Sequence, residues 1–275
     1  MGVSLMLAVR RELVTPRIPL ARGAAPPAWA ALAVYLRSGY VAGEASAFAG
    51  ISRLPPGGRL VVEGESVRRD HYWEVAPRLA EPALRLDLDG AARLLREHLE
   101  RAVEASLVSD VPVGVFLSGG LDSTAIAALA RPRLGALSTF ALGFEEAGFD
   151  ERDHATLAAR ALGTRHRTLT ITPDLFLEGV RDLTQILDEP LADPALVPTF
   201  LLSRFARTEV KVVLVGEGGD ELFAGYPTYL GGAVAARYAS LPAALRRLLA
   251  TAAPALGAPA GNTTLRYLLR RFLEA

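Results

Sequence analysis

The stretch from Val113 to Ala130, VGVFLSGGLDSTAIAALA, places an apolar run, two adjacent glycines, an aspartate among serines and a second apolar run in that order. The first run predicts a buried strand and the second a helix, with Gly119 and Gly120 as the tight turn between them. A turn at the carboxyl end of a parallel strand is where doubly wound folds bind ligands. Glycines there take positive φ and let a ligand approach the backbone with no Cβ in the way. The N–H groups of the turn and of the helix N-terminus then face an anion, and the hydroxyls of Ser118, Ser123 and Thr124 add donors. A di- or triphosphate suits such a cradle. The plainer alternative is a strand–helix turn in which Asp122 and Ser123 only cap the helix. The string is neither GxxxxGK[ST], since no lysine follows, nor GxGxxG.

Working outward, strands and helices alternate. Asp89 is positioned to cap a helix running to about Leu107, with Leu95, Leu99, Val103 and Leu107 on one stripe. Strands are expected at 137–142, 167–171 and 211–215. Helices are expected at 150–162, closed by Gly163, and at 173–186 and 194–207. This alternation predicts an α/β fold, a doubly wound parallel sheet with helices on both faces. Ahead of it, APPAWAALAVYLRSG reads as a short helix, and alternating residues around Glu63-Gly64-Glu65 read as a hairpin. Tyr72 and Trp73 are expected to pack the junction between the two regions. The segment after Tyr226 reads as helical. The expected division is 1–80, a small β-containing N-terminal remnant, and 81–275, the α/β domain.

Composition narrows the function. Lys+Arg and Asp+Glu both total 30, so no global field favours nucleic acid, and any charged ligand is held locally. The chain has no cysteine, which excludes disulfides, cysteine-based zinc sites and a thiol nucleophile within it. The run in MGVSLMLAVRREL is only about seven residues long, far below a membrane span. A cytoplasmic chain without membrane contact is expected.

A second stretch, VVLVGEGGDELFAGYPTY from Val212, repeats the strand–glycine-turn logic with Gly216, Gly218 and Gly219 interleaved with Glu217, Asp220 and Glu221. Carboxylates beside a phosphate loop call for a counter-ion, and hard oxygen ligands suit Mg²⁺. Asp122 and Asp220 are the candidate ligands. Alternatively, Asp220 and Glu221 simply enrich the first turn of a helix. Asp188, Glu189 and Asp193, in DEPLADPALVPTFLLSRFAR, are either a solvated loop or part of the site. Lys211, the only lysine, reads as a surface residue at a strand start. Arg266, Arg270 and Arg271 read as a solvated helix face, and His154 and His166 are given no role.

SGGLDS resembles the pyrophosphate loop of the ATP pyrophosphatases, whose fold is adenine nucleotide alpha hydrolase-like. With STFALGFEE, DEPLADPALVPTFLLSRFAR and VLVGEGGDELFAGY, it is similar to the synthetase domain of glutamine-dependent asparagine synthetases. The stretch YLRSGYVAGEASAFAGISRLPPGGRLVVEGESVRRDHYWEV resembles the end of that family's glutaminase domain and its link, so the likeness covers about residues 31–230.

The resemblance implies an ATP-dependent ligase that forms carbon–nitrogen bonds. It adenylates the aspartate side chain with release of pyrophosphate, then transfers ammonia to give asparagine and AMP. It implies ATP and Mg²⁺, with Ser118, Gly119, Gly120, Leu121, Asp122 and Ser123 on the pyrophosphate and Asp122 and Asp220 on the metal. Leu117, Leu142, Val215 and Gly216 match positions that contact adenosine. Glu217 matches a carboxylate near the acyl carbon. The same architecture serves β-lactam synthetases and macrolactam-forming cyclases, so another carboxylate substrate is one alternative. An inactive nucleotide-binding fragment, or half of a split enzyme, is another.

Two departures stand out. Gly2 occupies the position of the family's catalytic cysteine, so glutaminase activity is not expected. The chain also stops before the family's lysine-bearing helical segment. A separate glutaminase, a complementary C-terminal chain and a homodimer are the partners this leaves open, beside ATP, aspartate and ammonia.

Overall fold

In the computed structural model, the structure describes residues 25–145, 150–226, 229, 235 and 238–252. Helix α1 (Trp29–Ser38) ends at Gly39, whose φ of +81° gives a left-handed cap. Strands β1 (Gly58–Glu63) and β2 (Ser66–His71) form an antiparallel hairpin closed by Gly64-Glu65, with Gly64 at φ +60°. Glycine first in a two-residue loop is the type II′ preference, which matches the twist of the flanking strands. Ala31, Val41 and Ala47 form a small buried cluster of their own. Tyr72 and Trp73 do not pack a junction as expected. Their side chains are exposed, because what the fold uses there is backbone: the bare α-carbon of Gly57 lies against the carbonyl of Trp73.

A short helix α2 (Val75–Leu79) leads to α3 (Leu88–Ser106). The cap of α3 is Asp87, which accepts from the Gly90 N–H at 2.8 Å, and Asp89 instead lies in the first turn. Then follow β3 (Val113–Phe116), α4 (Leu121–Ala130), β4 (Ser138–Phe144), α5 (Arg152–Leu162) and β5 (Arg165–Ile171). Gly163 ends α5 at φ +61°, as expected. Helices α6 (Pro173–Thr184) and α7 (Leu196–Ala206) precede β6 (Val212–Leu214). Thr172 caps α6 by accepting from the Leu175 N–H, with Pro173 in the first turn, where its missing N–H costs nothing.

The four strands β3 to β6 lie in the order β5-β4-β3-β6, all parallel. The chain steps outward from β3 through β4 to β5, then crosses back to place β6 on the other side of β3. That reversal is a topological switch point, the place where doubly wound sheets bind ligands.

Helices cover both faces. On one, Val103 of α3, Ala127 and Ala130 of α4 and Ala159 of α5 pack with Val115, Leu117 and Leu137. On the other, Leu202 and Ala206 of α7 and Val210 pack on Phe140, whose ring meets Phe205 edge-on at 6.1 Å. This is the doubly wound fold.

The chain divides into two compact units, Met1–Leu214 and Val215–Ala275. In the second, α8 (Gly219–Phe223) and α9 (Ala243–Ala252) are described. The expected face at Arg266, Arg270 and Arg271 lies outside the described residues. No helix among the described residues is long and apolar enough to cross a membrane.

Candidate functional site

The SGGLDS turn leaves β3 at the switch point. Leu117 donates its N–H to the Phe140 carbonyl at 2.8 Å while its side chain, 1% exposed, fills the core. Gly119 then turns at φ +82°. A Cβ there would lie 2.5 Å from the backbone nitrogen of Ala155, so the turn touches α5 backbone to backbone and only glycine fits. His154, which was given no role, contributes its main chain to this contact.

Two of the three hydroxyls expected to face an anion are engaged within the turn itself. The Ser118 and Ser123 hydroxyls are 2.9 Å apart. Ser123 Oγ accepts from the Ser118 N–H, and Ser118 Oγ accepts from the Gly120 N–H. These bonds fix the loop's shape. Thr124 Oγ1 is buried with no partner among the described residues.

Helix α4 starts at Gly120 with no side chain capping it, and its first bond within this turn runs from the Thr124 N–H to the Gly120 carbonyl. The N–H groups of Leu121, Asp122 and Ser123 therefore precede the helix's own bonding pattern. Asp122 is exposed in this first turn.

Near the same edge of the sheet, Arg152 lies across the bare face of Gly143, its Nε 2.6 Å from where a Cβ would stand. Its guanidinium holds Asp150 at 2.7 Å and donates to the Phe144 carbonyl and to Thr170 Oγ1. The hydrogen bond from Arg152 is the main reason the Asp150 carboxyl sits below the usual carboxylate range. On β4, the fully buried Thr139 hydroxyl bonds Thr164 Oγ1 at 2.8 Å and His166 Nδ1 at 2.9 Å. Burial pushes the His166 imidazolium pKa down.

The DEPLADP segment is not a solvated loop throughout. Glu189 accepts from the Ala47 N–H at 2.9 Å and from Arg53 Nη2 at 2.7 Å and Nε at 3.2 Å. Arg53 also donates to the Val41 carbonyl, and the Ala192 N–H donates to the Gly39 carbonyl. Sequence reasoning missed this clasp, since nothing local links an arginine to a glutamate 136 positions away.

In the second unit, Gly218 turns at φ +99° into α8, and Ala224 leaves it at φ +56°. The Gly225 N–H donates to the Asp220 carbonyl at 3.0 Å, and the bare α-carbon of Gly225 makes room for the Asp220 carboxylate. Glu221 accepts from the Tyr226 hydroxyl at 2.9 Å, which is the main cause of that phenol's raised pKa. Val215 and Gly216 are partly buried and Glu217 is exposed, as Leu142 in the first unit is partly buried. No group of three or more histidine, aspartate or glutamate side chains forms a metal cluster among the described residues. Mg²⁺ does not require one, because it commonly takes one or two carboxylates and completes its shell with phosphate oxygens and water.

A glycine turn at the switch point of a doubly wound sheet, with a helix N-terminus behind it, makes this an α/β protein with its turn where such folds hold ligands. The Asparagine synthase family model matches residues 94–274, and the chain belongs to that family. A putative glutamine-hydrolysing asparagine synthetase of Mycobacterium tuberculosis is 42% identical over 199 residues, 72% of this chain and 30% of that one. Asparagine synthetase 1 of Bacillus subtilis is 31% identical over 219 residues, 80% of this chain and 34% of the relative. The putative asparagine synthetase 2 of Methanocaldococcus jannaschii is 32% identical over 206 residues, 74% and 39%. The chain thus spans about a third of the length of these curated relatives.

Proposed function

We propose that the chain carries the nucleotide and acyl-transfer site of an ATP-dependent amide-forming ligase of asparagine synthetase type. Ammonia serves as nitrogen source unless a partner glutaminase delivers it. The observation that supports this most is the SGGLDS turn, a glycine-only contact at a switch point with an uncapped ten-residue helix behind it. The family membership agrees with it.

In this reading the N–H groups of Leu121, Asp122 and Ser123 receive the β- and γ-phosphates, with Ser118, Gly119 and Gly120 shaping the turn beside them. Leu117, Leu142, Val215 and Gly216 are the residues assigned to the adenosine side. Asp122 and Asp220 are the residues that would hold Mg²⁺, which neutralises phosphate charge when bound. An oxygen of the aspartate side-chain carboxylate attacks the α-phosphorus, the bond to the β-phosphate breaks, and pyrophosphate leaves. The turn's N–H groups stabilise the charge that develops on that leaving group. Ammonia nitrogen then attacks the acyl carbon, the acyl–oxygen bond breaks, AMP departs, and Glu217 accepts the proton that nitrogen sheds. We also propose that the domain division falls near residue 80.

The test is pyrophosphate release from ATP and Mg²⁺ by the purified chain, with and without aspartate and ammonium, repeated with Asp122→Asn. Release that depends on aspartate and is lost in the variant supports the reading. Release that needs no carboxylate, or that survives in the variant, overturns the assigned roles. Mg-dependent ATP binding without release leaves the nucleotide site standing and overturns the chemistry assigned to this chain alone.

A further inference from the structure

A groove of about 500 Å³ crosses the amino ends of the sheet strands, with Leu107, Val113, Leu134, Ser138, Arg165 and Val210 among its lining residues. It lies at the edge opposite the SGGLDS turn. Val113 opens β3, Ser138 opens β4 and Arg165 opens β5. Val113 and Ser118 are five positions apart, on the order of 15 Å in extended chain. The groove is therefore separate from the proposed nucleotide site, and nothing in the proposed reaction uses it.

Its polar groups are specific. Ser138 and Arg165 are register partners in the parallel pair, so their side chains share one face of the sheet. Phe140 and Arg167 are the next pair on that face. Arg167 is already engaged, paired with Glu209 and lying 4.5 Å from the centre of the Phe205 ring. The Glu209 charge at the groove is thereby balanced. Arg165 is exposed and pairs with no carboxylate among the described residues. Ser138 is only 3% exposed, and its hydroxyl, which makes no hydrogen bond among the described residues, is not sealed from solvent and so is reachable from the groove. A hydroxyl open to the groove can donate to a bound acceptor. Leu107, Leu134 and Val210 supply apolar walls, and the volume falls within the usual range for small-molecule sites.

We propose that this groove binds a small carboxylate bearing a short aliphatic chain. One carboxylate oxygen takes the Arg165 guanidinium and the other the Ser138 hydroxyl, while the chain lies against Leu107, Leu134 and Val210. An arginine fork suits a planar carboxylate, and the neighbouring cation rejects an ammonium headgroup.

The test is an NMR titration of the full chain, following backbone amides with sodium butyrate and, at matched ionic strength, butylammonium chloride. Saturable shifts at Ser138, Arg165 and Val210 with butyrate and none with butylammonium are expected. Arg165→Met, an exposed position, should weaken the response about tenfold, the usual size of one charge-assisted bond. Ser138→Ala should weaken it several-fold, and it gives a second reading that does not depend on removing charge. Equal shifts with both probes, shifts centred on residues 118–124, or an undiminished response in Arg165→Met would each overturn the proposal. So would no saturable shift at concentrations on the order of 10 mM.

Discussion

Gly119 and Ala155 meet backbone to backbone, with 2.5 Å between the place where a Cβ would stand on the first and the nitrogen of the second. The contact joins the turn after β3 to the first turn of α5, so the loop's shape is set by the fold before any ligand arrives. Gly119→Ala must strain a φ of +82° and displace backbone, not a flexible side-chain tip. The expected loss is about 2 to 4 kcal/mol of unfolding free energy in urea. Gly135→Ala is the control: nothing lies within 4 Å of its Cβ position and its φ is not positive, so a change within about 0.5 kcal/mol is expected. Equal effects at both positions would mean that the contact with α5 does not constrain the turn.

The Glu189 clasp should behave as a coupled unit. Its carboxylate is 13% exposed and accepts from Arg53 and from the Ala47 N–H, so Glu189→Ala leaves a sheltered backbone donor and a guanidinium without their acceptor. A loss of about 2 to 3 kcal/mol is expected, with Glu189→Gln losing less because the amide oxygen still accepts. In a double-mutant cycle with Arg53→Met, a coupling energy of about 1 kcal/mol is expected, since the arginine side is half open to solvent. Strict additivity would show that Arg53 and Glu189 do not share the load.

His166 gives the pH dependence a definite sign. Its folded pKa lies below the unfolded value because burial disfavours the charged ring. On acidification the unfolded chain therefore takes up the proton first. Stability contributed by the neutral imidazole, which bonds Thr139 and Thr168, is fully present above the unfolded histidine pKa and declines as pH falls below it. Urea midpoints measured between pH 5 and 8, roughly the span in which histidine titrates, should fall toward the acid end. The slope should flatten in His166→Gln. An unchanged slope in the variant would assign the pH dependence to other groups.

The strand, turn and helix from Val113 to Ala130 could be read directly, because two glycines between apolar runs admit few backbone paths. Element ends depend on local backbone conformation that residue type does not fix. Asp87 and Asp89 are both suited to a cap, and only the extended backbone at Asp87, with ψ of 172°, decides between them. The Glu189 clasp and the Arg152–Asp150 pair were not readable, since each depends on where the fold brings one charged side chain. The hydroxyls of Ser118 and Ser123 were read as ligand donors by composition, whereas the five-residue span of the turn lets them bond each other. The groove around Arg165 and Ser138 has no motif at all. It arises from parallel register, which places residues 27 positions apart side by side.

Gly225 offers a separate test of the metal role proposed for Asp220. The bare α-carbon of Gly225 occupies the space beside the Asp220 carboxylate, and its N–H donates to the Asp220 carbonyl at 3.0 Å. Gly225→Ala therefore retains the aspartate but obliges its carboxylate to turn away. If that orientation serves Mg²⁺, Mg-dependent ATP binding measured by calorimetry should weaken about tenfold, comparable to losing one charge-assisted contact. Thermal unfolding should change little, since α8 contains no buried residue. Asp220→Asn run in parallel separates the outcomes. Loss in both variants supports a carboxylate held in a required orientation. Wild-type binding in both would remove Asp220 from the metal site, and loss in the asparagine variant alone would show that its charge matters while its orientation does not.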